Sequence, residues 1–395
     1  MKQDRREKVN FPNLRFPEFE GEWGTTTIAE ECIVNPKTES LNSAFVYIDL
    51  ESVVKGELIK ETVINRLDAP SRAQRVLEDY DILFQCVRPY QMNNYIYRKQ
   101  DDRQWVASTG YAQIRTKNNS DFFYQLLNTL NFNKKVMLRC TGTSYPAISS
   151  GDLAGIEIAI CTQDEQNKIA NFLTLLDDRI STQNKIIEQY KSLIKGIVDF
   201  TFMKSERKTY SIKELGESFR AMTLSKEDLS EDGNECVLYG ELFTTYGYVI
   251  REIKSKTRKS NSKLTLSTKN DLLFPSSTTV DARSLISPSA ILKDGVILGG
   301  DMFGIHINGK FNNEYLSYLF NLVYRNKLAQ YAKGSTIIHL HYSEIKNVEI
   351  EIPLLDTQNK VIEILTLLQK KLVNETSLQS AYQKQKDYLQ QEMFI

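Results

Sequence analysis

Two parts of this chain repeat each other at a constant offset, and each copy runs into a long helical segment. The stretch from Gln166 to Leu176 returns as Gln358 to Leu368, and both copies contain Gln-Asn-Lys followed by Leu-Thr-Leu-Leu. The match extends without a gap back to Gly142, which corresponds to Gly334. Such a duplication predicts two similar structural units with similar surfaces. A protein built in this way is suited to a target that itself has two halves.

The chain is too long for one ordinary core, because 395 residues exceed the usual size of a single domain. We predict an α/β (α+β) fold in which two similar mixed α/β domains are separated by two long helices, as a pseudo-two-fold internal repeat. The predicted parts are a first domain at 1–160, a central helix at 161–206, a second domain at 207–352 and a C-terminal helix at 353–395. The charged N-terminus and the absence of a run of roughly 20 apolar residues predict a cytoplasmic protein without a membrane span.

Within each domain, alternating apolar stretches predict strands, and corresponding elements recur in the second copy. One further strand is predicted at 44–48. The corresponding pairs are strands at 81–84 and 271–274, short helices at 122–130 and 315–324, and closing strands at 156–158 and 348–350. The second domain lacks a counterpart of Trp23 and is predicted to begin near Tyr210.

Apolar residues in the two long helices recur in alternating steps of four and three, which is typical of a coiled coil. Thr162 and Glu165 have the spacing of a capping box at the start of the first helix. The residues predicted to pair the helices or dock partners are Ile169, Leu173, Leu176, Ile180, Ile187, Tyr190, Ile194, Val361, Leu365, Leu368, Leu372 and Tyr382. We favour helices that pair antiparallel, each roughly 60 Å long; the alternative is that each lies on its own domain. Two globules so spaced could contact DNA a helical turn or more apart.

Motifs for catalysis and metal binding are weak or missing. There is no P-loop and no glycine-rich cofactor loop. Glu252-Ile253-Lys254 and Glu344-Ile345-Lys346 resemble the tail of a nuclease motif but lack an acidic pair upstream. His339 and His341 are the one tempting metal pair, but their repeat partners, Ala147 and Ser149, cannot bind a metal. The five scattered cysteines are predicted to be reduced structural thiols. We therefore expect no catalytic residue and no metal site in this chain.

Features suited to binding nucleic acid lie in the two domains, although the net charge is zero. The stretch from Arg251 to Lys263 has six basic residues and one acidic residue. Arginine and lysine can pair with guanine in the major groove, and asparagine and glutamine with adenine. The predicted DNA contacts are Arg88, Gln91, Asn93, Asn94, Arg98 and Lys99 in the first domain and Lys254, Lys256, Arg258, Lys259, Ser276 and Thr278 in the second. The loops at Gly142-Thr143 and Gly334-Ser335 are further candidates, with a purely structural turn as the equal alternative.

The chain resembles the specificity subunits of type I restriction–modification enzymes. The resemblance rests on the opening Pro12–Phe19 with Trp23, on the Gly-Thr-Ser loop at 142, and on the run from Asp164 to Asp178 that leads into a long helix. These motifs recur in whole or part in the second half, and the resemblance covers essentially the full chain.

The resemblance implies two target recognition domains, each reading one half of a bipartite double-stranded DNA sequence. It implies that the helices dock two methyltransferase subunits, which supply S-adenosylmethionine and methylate adenine N6, and that restriction subunits using ATP and Mg can join. This chain would then bind no cofactor itself and would be non-catalytic. The alternatives are a two-headed protein-binding scaffold with a coiled-coil spacer, and an autonomous nuclease using the Glu-x-Lys triplets.

Overall fold

The structure is a computed structural model that describes residues 10–221, 224–259 and 264–395. The chain divides into two compact units. Unit 1 contains the residues up to Asn184 together with Ser377–Ile395, and unit 2 contains Lys185–Thr376. Each long helix is therefore shared, with one part belonging to each unit.

Unit 1 consists of short strands arranged in small sheets, with helices packed against them. Its strands are β1 (Gly24–Thr27), β2 (Cys32–Val34), β3 (Ala44–Ile48), β4 (Val53–Val54), β5 (Glu57–Leu58), β6 (Thr62–Asn65), β7 (Ala73–Val76), β8 (Ile82–Gln85), β9 (Tyr95–Ile96), β10 (Trp105–Ser108), β11 (Tyr111–Thr116) and β12 (Glu157–Ile160). Its helices are α1 (Ile28–Glu31), α2 (Ser120–Leu127), α3 (Leu130–Met137), α4 (Ser150–Ala154) and the first part of α5 (Gln163–Lys204). The two four-stranded sheets have the orders β6-β3-β10-β7 and β2-β11-β8-β9, and β1 pairs with β12.

Unit 2 repeats this plan with longer sheets. Its strands are β13 (Arg207–Ser211), β14 (Gly216–Arg220), β15 (Leu229–Ser230), β16 (Asn234–Leu238), β17 (Val249–Ile250), β18 (Ser255–Thr257), β19 (Thr265–Leu266), β20 (Asp271–Pro275), β21 (Ser277–Thr278), β22 (Ser289–Ile291), β23 (Ile297–Gly299), β24 (Met302–Ile307), β25 (Ile338–His339) and β26 (Glu349–Pro353). Its helices are α6 (Glu241–Thr244), α7 (Ala282–Leu285), α8 (Asn313–Leu322), α9 (Arg325–Ala329), α10 (Tyr342–Ile345) and the first part of α11 (Leu355–Met393). The two five-stranded sheets have the orders β14-β24-β20-β22-β17 and β15-β18-β16-β23-β19.

The two units share their central strand pairings, which confirms the predicted duplicated α/β fold. In unit 1, β3 runs parallel to β10 while β11 pairs antiparallel with both β2 and β8. In unit 2, β16 runs parallel to β23 while β24 pairs antiparallel with both β14 and β20. The opening strand of unit 2 is β13, which pairs with the closing strand β26 as β1 does with β12. The predicted helix at 122–130 is interrupted, because α2 ends at Leu127 and α3 starts at Leu130.

The repeated glutamine joins the start of each long helix to its domain. The Gln166 side-chain amide donates to the carbonyl of Cys161 at 2.9 Å, and the Gln358 amide donates to the carbonyl of Pro353 at 2.8 Å. Both glutamines are buried. A buried amide group needs such partners, so the same residue is required at both positions.

The repeated asparagine ties each long helix to a short one. Asn119 caps α2 by accepting from the Phe122 amide, and its own amide group donates to Asn167 at 2.7 Å. Asn312 caps α8 in the same way and donates to Asn359 at 3.0 Å. The repeated residues thus form contacts that hold each long helix against its domain, and they do not form a catalytic motif.

Glu165 does not form the predicted capping box. Its carboxylate is fully buried and accepts two hydrogen bonds from the Arg15 guanidinium, both at 2.7 Å, and one from Trp23 Nε1 at 3.3 Å. The helix instead begins with the Thr162 carbonyl, which accepts from the Gln166 amide at 2.9 Å. A long-range ion pair has therefore replaced the local interaction that the spacing predicted.

The predicted helix pairing is confirmed by contacts inside the units. In unit 1, Asp177 forms an ion pair with Lys386, and Arg179 Nη2 donates to Tyr382 Oη at 2.8 Å. Residue numbers rise along one helix as they fall along the other, so these segments run antiparallel. The predicted seam residues are buried at Ile169, Leu173, Ile180, Ile187, Ile194, Val361 and Leu365, and half-buried at Leu176, Tyr190, Leu368, Leu372 and Tyr382. None of the helices in the described ranges is long and apolar enough to cross a membrane.

Candidate nucleic-acid interface

A short hairpin at residues 141–147, here the first hairpin, projects from unit 1 after α3. Thr141 and Ala147 exchange two backbone hydrogen bonds of 2.9 Å at its base. Ala147 also bridges Val87, which follows strand β8. Gly142 has a φ of +87°, a conformation that favours glycine, and residues 141–145 are exposed. The hairpin is therefore fixed at its base and open to solvent at its tip.

Unit 2 carries an equivalent hairpin at residues 333–339, here the second hairpin. Lys333 and His339 exchange backbone hydrogen bonds of 2.9 and 2.7 Å, and His339 also pairs with Ser277. Gly334 has a φ of +121°. Lys333 and His339 are the repeat partners of Thr141 and Ala147, so the two Gly-containing loops are equivalent structures on the two units.

Arg88 lies against the first hairpin. Its backbone has a φ of 54° and its amide donates to the Pro146 carbonyl at 2.8 Å. Its guanidinium lies 4.4 Å from the centre of the Tyr145 ring, an exposed residue at the hairpin tip. Gln91 is exposed in the same turn, where its side-chain oxygen accepts from the Gln85 amide at 2.8 Å. Arg88 and Gln91 are thus brought together on one surface.

Asn93 and Asn94 have internal partners in the structure. Asn94 is 2% exposed, and it accepts from the Gln85 backbone amide at 2.8 Å and donates to Asn128 at 3.1 Å. Asn93 accepts from the backbone amide of Lys55 at 2.9 Å. In this conformation Asn94 holds the turn below Arg88 in place and presents no free group to a base.

Arg98 and Lys99 are partly neutralised by neighbouring carboxylates. The Arg98 guanidinium pairs with Asp121 and lies 4.2 Å from the centre of the Tyr80 ring. The Lys99 ammonium lies 3.1 Å from an Asp102 carboxylate oxygen. Neither residue belongs to the turn that carries Arg88.

Ser276 and Thr278 contribute backbone to the base of the second hairpin. Ser276 is buried; its amide donates to the Asp301 carbonyl at 2.8 Å, and its carbonyl accepts from the Leu340 amide at 2.9 Å. Thr278 is half-buried and pairs with Ile338 in the small β21-β25 sheet. Both residues therefore lie near the second hairpin, but Ser276 is enclosed by protein.

An open cleft of about 490 Å³ lies beside the second hairpin. Its lining residues combine four groups that are or can become positively charged with two carboxylates: Arg220, Lys333, His339 and His341, with Asp301 and Glu344, alongside Gly334. Arg220 and Lys333 project into solvent, each beside one of these carboxylates. Such a surface suits an anion that approaches from solvent, such as a phosphate group of DNA.

The two histidines lie close together without a metal-binding set. Their ring centres are 6.0 Å apart and the rings are nearly parallel. Among the described residues, no group of three His, Cys, Asp or Glu side chains could hold a metal ion. Glu344, from one of the Glu-x-Lys triplets, accepts from the His341 amide at 2.8 Å and pairs with Lys333. Burial opposes its ionisation, but these donors hold its pKa below the ordinary value.

The basic stretch of unit 2 is less basic in the fold than in the sequence. Arg258 binds both oxygens of Asp232, at 2.6 and 2.9 Å, and holds the pKa of that carboxyl below its usual value. Lys259 pairs with Asp228 at 2.7 Å. The side chains of Lys254 and Lys256 are exposed, and no carboxylate within the described ranges pairs with them. Residues 260–263, which complete this stretch, lie outside the described residues.

Sequence reasoning missed Tyr145, Arg220 and Lys333. The duplicated glycine loops did indicate the two hairpins, and Tyr145 and Lys333 could have been found as their exposed neighbours. Arg220 could not, because it lies far before the second hairpin in the sequence and no motif marks it.

Comparison with known proteins also identifies a duplicated DNA specificity domain. The model of the type I restriction modification DNA specificity domain matches twice, at residues 50–191 and 204–380. The HindI specificity subunit of Haemophilus influenzae is 24% identical over 177 residues; this alignment covers 42% of the present chain and 38% of the relative.

Two solved structures share the fold. The S subunit of a type I restriction-modification system from M. genitalium has a TM-score of 0.62 at 15% identity, covering 98% of this chain and 99% of that one. A chain from a structural study of complex assembly and conformational transition of the type I R-M system has a TM-score of 0.51 at 17% identity, covering 94% and 97%. With the family model matching twice and spanning well over half of the sequence, the chain belongs to the family of type I restriction modification DNA specificity domains.

Proposed function

We propose that this chain is the non-catalytic DNA-specificity subunit of a type I restriction–modification complex. Each unit reads one half of a bipartite double-stranded DNA sequence. The observation that carries this proposal is the pair of equivalent hairpins on a duplicated scaffold, whose surroundings differ. Tyr145 in the first hairpin contacts Arg88 beside it, whereas the equivalent positions of unit 2 hold Ile337 in the second hairpin and Thr278 beside it. A common scaffold with different side chains at one position suits two similar tasks on two different half-sites.

The zero net charge indicates that DNA binding depends on partner subunits. We propose two methyltransferase subunits as these partners, which carry S-adenosylmethionine, and restriction subunits that use ATP and Mg in the full complex. The chain itself binds no cofactor in this proposal, and the complex acts in the cytoplasm on host and incoming DNA.

A duplicated outward-facing leucine supports the binding of two identical partners. Leu175 and Leu367 occupy the same place in the repeated Leu-Thr-Leu-Leu run, and each is 68% exposed. The leucines that open the same runs, Leu173 and Leu365, are fully buried in the units. A large apolar side chain that is kept exposed at equivalent positions suits docking of the same protein surface twice. We propose that each exposed leucine contacts one methyltransferase subunit.

The test is co-expression of this chain with its methyltransferase, followed by long-read mapping of N6-methyladenine. We expect a split motif with a fixed gap that disappears when the chain is deleted. Replacing residues 1–160 by those of another family member is expected to change one half of the motif only. A two-headed protein scaffold predicts instead that methylation is independent of this chain.

Partner docking is tested separately with Leu175→Glu and Leu367→Glu. Each variant is expected to reduce the number of methyltransferase subunits in the purified complex from two to one, and the double variant to remove both. Leu67→Glu is the matched control, because Leu67 is an exposed leucine in unit 1 that lies outside the long helices. Unchanged stoichiometry in the double variant would exclude this docking site.

A further inference from the structure

The turn that carries Arg88 is held in an unusual backbone conformation at an exposed site. Arg88 and Met92 both have left-handed φ values, 54° and 52°, on either side of the 3₁₀ turn Pro89–Gln91. For residues other than glycine this conformation is unfavourable in free energy, so it is found where contacts with the surrounding structure impose it. Here the surroundings are the Arg88–Pro146 hydrogen bond and the Val87–Ala147 bridge. The fold therefore fixes the direction in which Arg88 leaves the backbone.

The Arg88 side chain has an aromatic partner but no ionic one. The guanidinium carbon lies 4.4 Å from the centre of the Tyr145 ring, a contact that favours this direction of the side chain. Among the described residues, no carboxylate lies within ion-pair distance of it. Arg98 provides the contrast, because it lies on Tyr80 in a similar way but has Asp121 as an ionic partner. Arg98 is therefore satisfied within the protein, whereas Arg88 is oriented but has no anionic partner there.

We propose that Arg88, oriented by Tyr145, reads a guanine in the half-site of unit 1. This inference rests on the proposed function and specifies the base that the first unit recognises. A planar guanidinium with two parallel N–H groups matches the O6 and N7 acceptors of guanine in the major groove. Arg88 is a specificity-determining residue in this scheme, and Tyr145 is a positioning residue that acts through it.

The second unit cannot read its half-site in the same way. The bridges Val87–Ala147 and Ser277–His339 are equivalent, so Thr278 occupies the place of Arg88. Threonine offers one hydroxyl instead of a two-pronged cation. Recognition of a guanine by Arg88 is accordingly confined to the half-site of unit 1. That half is the one expected to change when residues 1–160 are exchanged.

The experiment is methylation mapping with the co-expressed methyltransferase for Arg88→Ala, Arg88→Lys, Tyr145→Ala and Tyr145→Phe. The matched control is Arg66→Ala, at an exposed arginine of unit 1 that donates to the Leu41 carbonyl. In the unit 1 half-site, Arg88→Ala is expected to reduce discrimination at one G·C pair by roughly ten- to hundredfold. Arg88→Lys keeps the positive charge but loses the two parallel N–H donors, so it should also weaken the preference for guanine at this base pair. Tyr145→Ala should weaken the preference for guanine less strongly, whereas Tyr145→Phe and Arg66→Ala should retain the motif. Fluorescence of Trp23 and Trp105, both buried in unit 1, checks that each variant is folded.

The outcomes separate this inference from the proposed function. A wild-type split motif whose unit 1 half has no G·C pair overturns the guanine assignment and leaves the specificity role intact. An Arg88→Ala variant with an unchanged motif but uniformly weaker methylation assigns Arg88 to a phosphate contact instead, which also overturns it. The absence of any split motif in the wild type removes both proposals together.

Discussion

Replacing Arg15 by alanine is expected to destabilise unit 1, because it leaves the buried Glu165 carboxylate without its ionic partner. The Glu165 carboxylate is fully buried, and the Arg15 side chain is 16% exposed. Two of the three side-chain hydrogen bonds to this carboxylate come from Arg15. Removing the guanidinium leaves a buried negative charge with Trp23 Nε1 as its remaining side-chain donor in the structure.

The expected magnitude follows from this burial. Breaking a buried ion pair by removing one partner typically costs about 3–5 kcal/mol, and the partial exposure of Arg15 places this pair near the lower end, at about 3 kcal/mol. The variant Arg15→Ala/Glu165→Gln removes the charge together with its partner and is expected to recover about 1–2 kcal/mol, because a neutral amide is less costly to bury. The two changes are therefore non-additive.

The assay uses a favourable distribution of chromophores. The chain has two tryptophans, Trp23 and Trp105, and both are buried in unit 1. Tryptophan fluorescence during urea titration consequently follows the unfolding of unit 1. Arg66→Ala is the control; this exposed guanidinium donates to the Leu41 carbonyl, so its loss should cost less than about 1 kcal/mol.

Equal unfolding midpoints for Arg15→Ala and Arg66→Ala would refute the importance of the buried pair. A double variant less stable than Arg15→Ala would refute it as well, since that result would mean that the remaining charge is not the source of the loss.

Three further predictions concern the hairpins, the helix end and the thiols. Gly334→Ala should cost about 1–3 kcal/mol more than Gly142→Ala in urea titrations followed by circular dichroism, because the new methyl would lie 2.0 Å from a backbone oxygen rather than 3.1 Å. Lys386→Met should destabilise unit 1 by about 1–3 kcal/mol in the fluorescence assay, since the ammonium is largely enclosed beside a carboxylate. Burial raises the pKa of the Cys236 thiol to about 11, so it should stay protonated and unreactive with thiol reagents at pH 8, whereas half-buried Cys140 should react first. The stability that comes from burying the neutral Cys236 thiol is fully present below the ordinary thiol pKa and is lost as the pH rises through about 11. Rapid labelling of Cys236 in the native protein at pH 8 would contradict the prediction that this thiol is protected.

The fold could be predicted because its signals are local or repeated. The heptad pattern placed Ile169 and Leu365 in the seam, and the internal duplication indicated two domains of one topology. These features follow from the sequence because the spacing of apolar residues determines which face of a helix is buried. The strand at 44–48 was predicted with its observed ends for a similar reason.

The candidate site was predicted less well because its contacts are long-range. Arg258 looked free in the sequence, but Asp232 neutralises it from a separate part of the chain. Asn94 had the right chemistry for adenine, but the returning chain buries it against Asn128. The stacking of Arg88 on Tyr145 depends on a hairpin that the chain forms only after α3. No local sequence pattern predicts which polar residues will be buried or paired by segments that are distant in the sequence.

Unit 1 cannot be completed in the order in which the ribosome makes it. Phe394 packs against Trp23 and Phe122, and the Leu14 amide donates to the Glu392 carbonyl at 2.9 Å. The segment that closes this core is synthesised after all of unit 2, which separates it in sequence from Phe122. Contacts between such distant positions form slowly, because a long stretch of chain must first be ordered or looped out. During synthesis, unit 1 emerges first but keeps an exposed apolar surface around Trp23 until the C-terminal segment has been made. Unit 2 emerges second and can finish folding before unit 1.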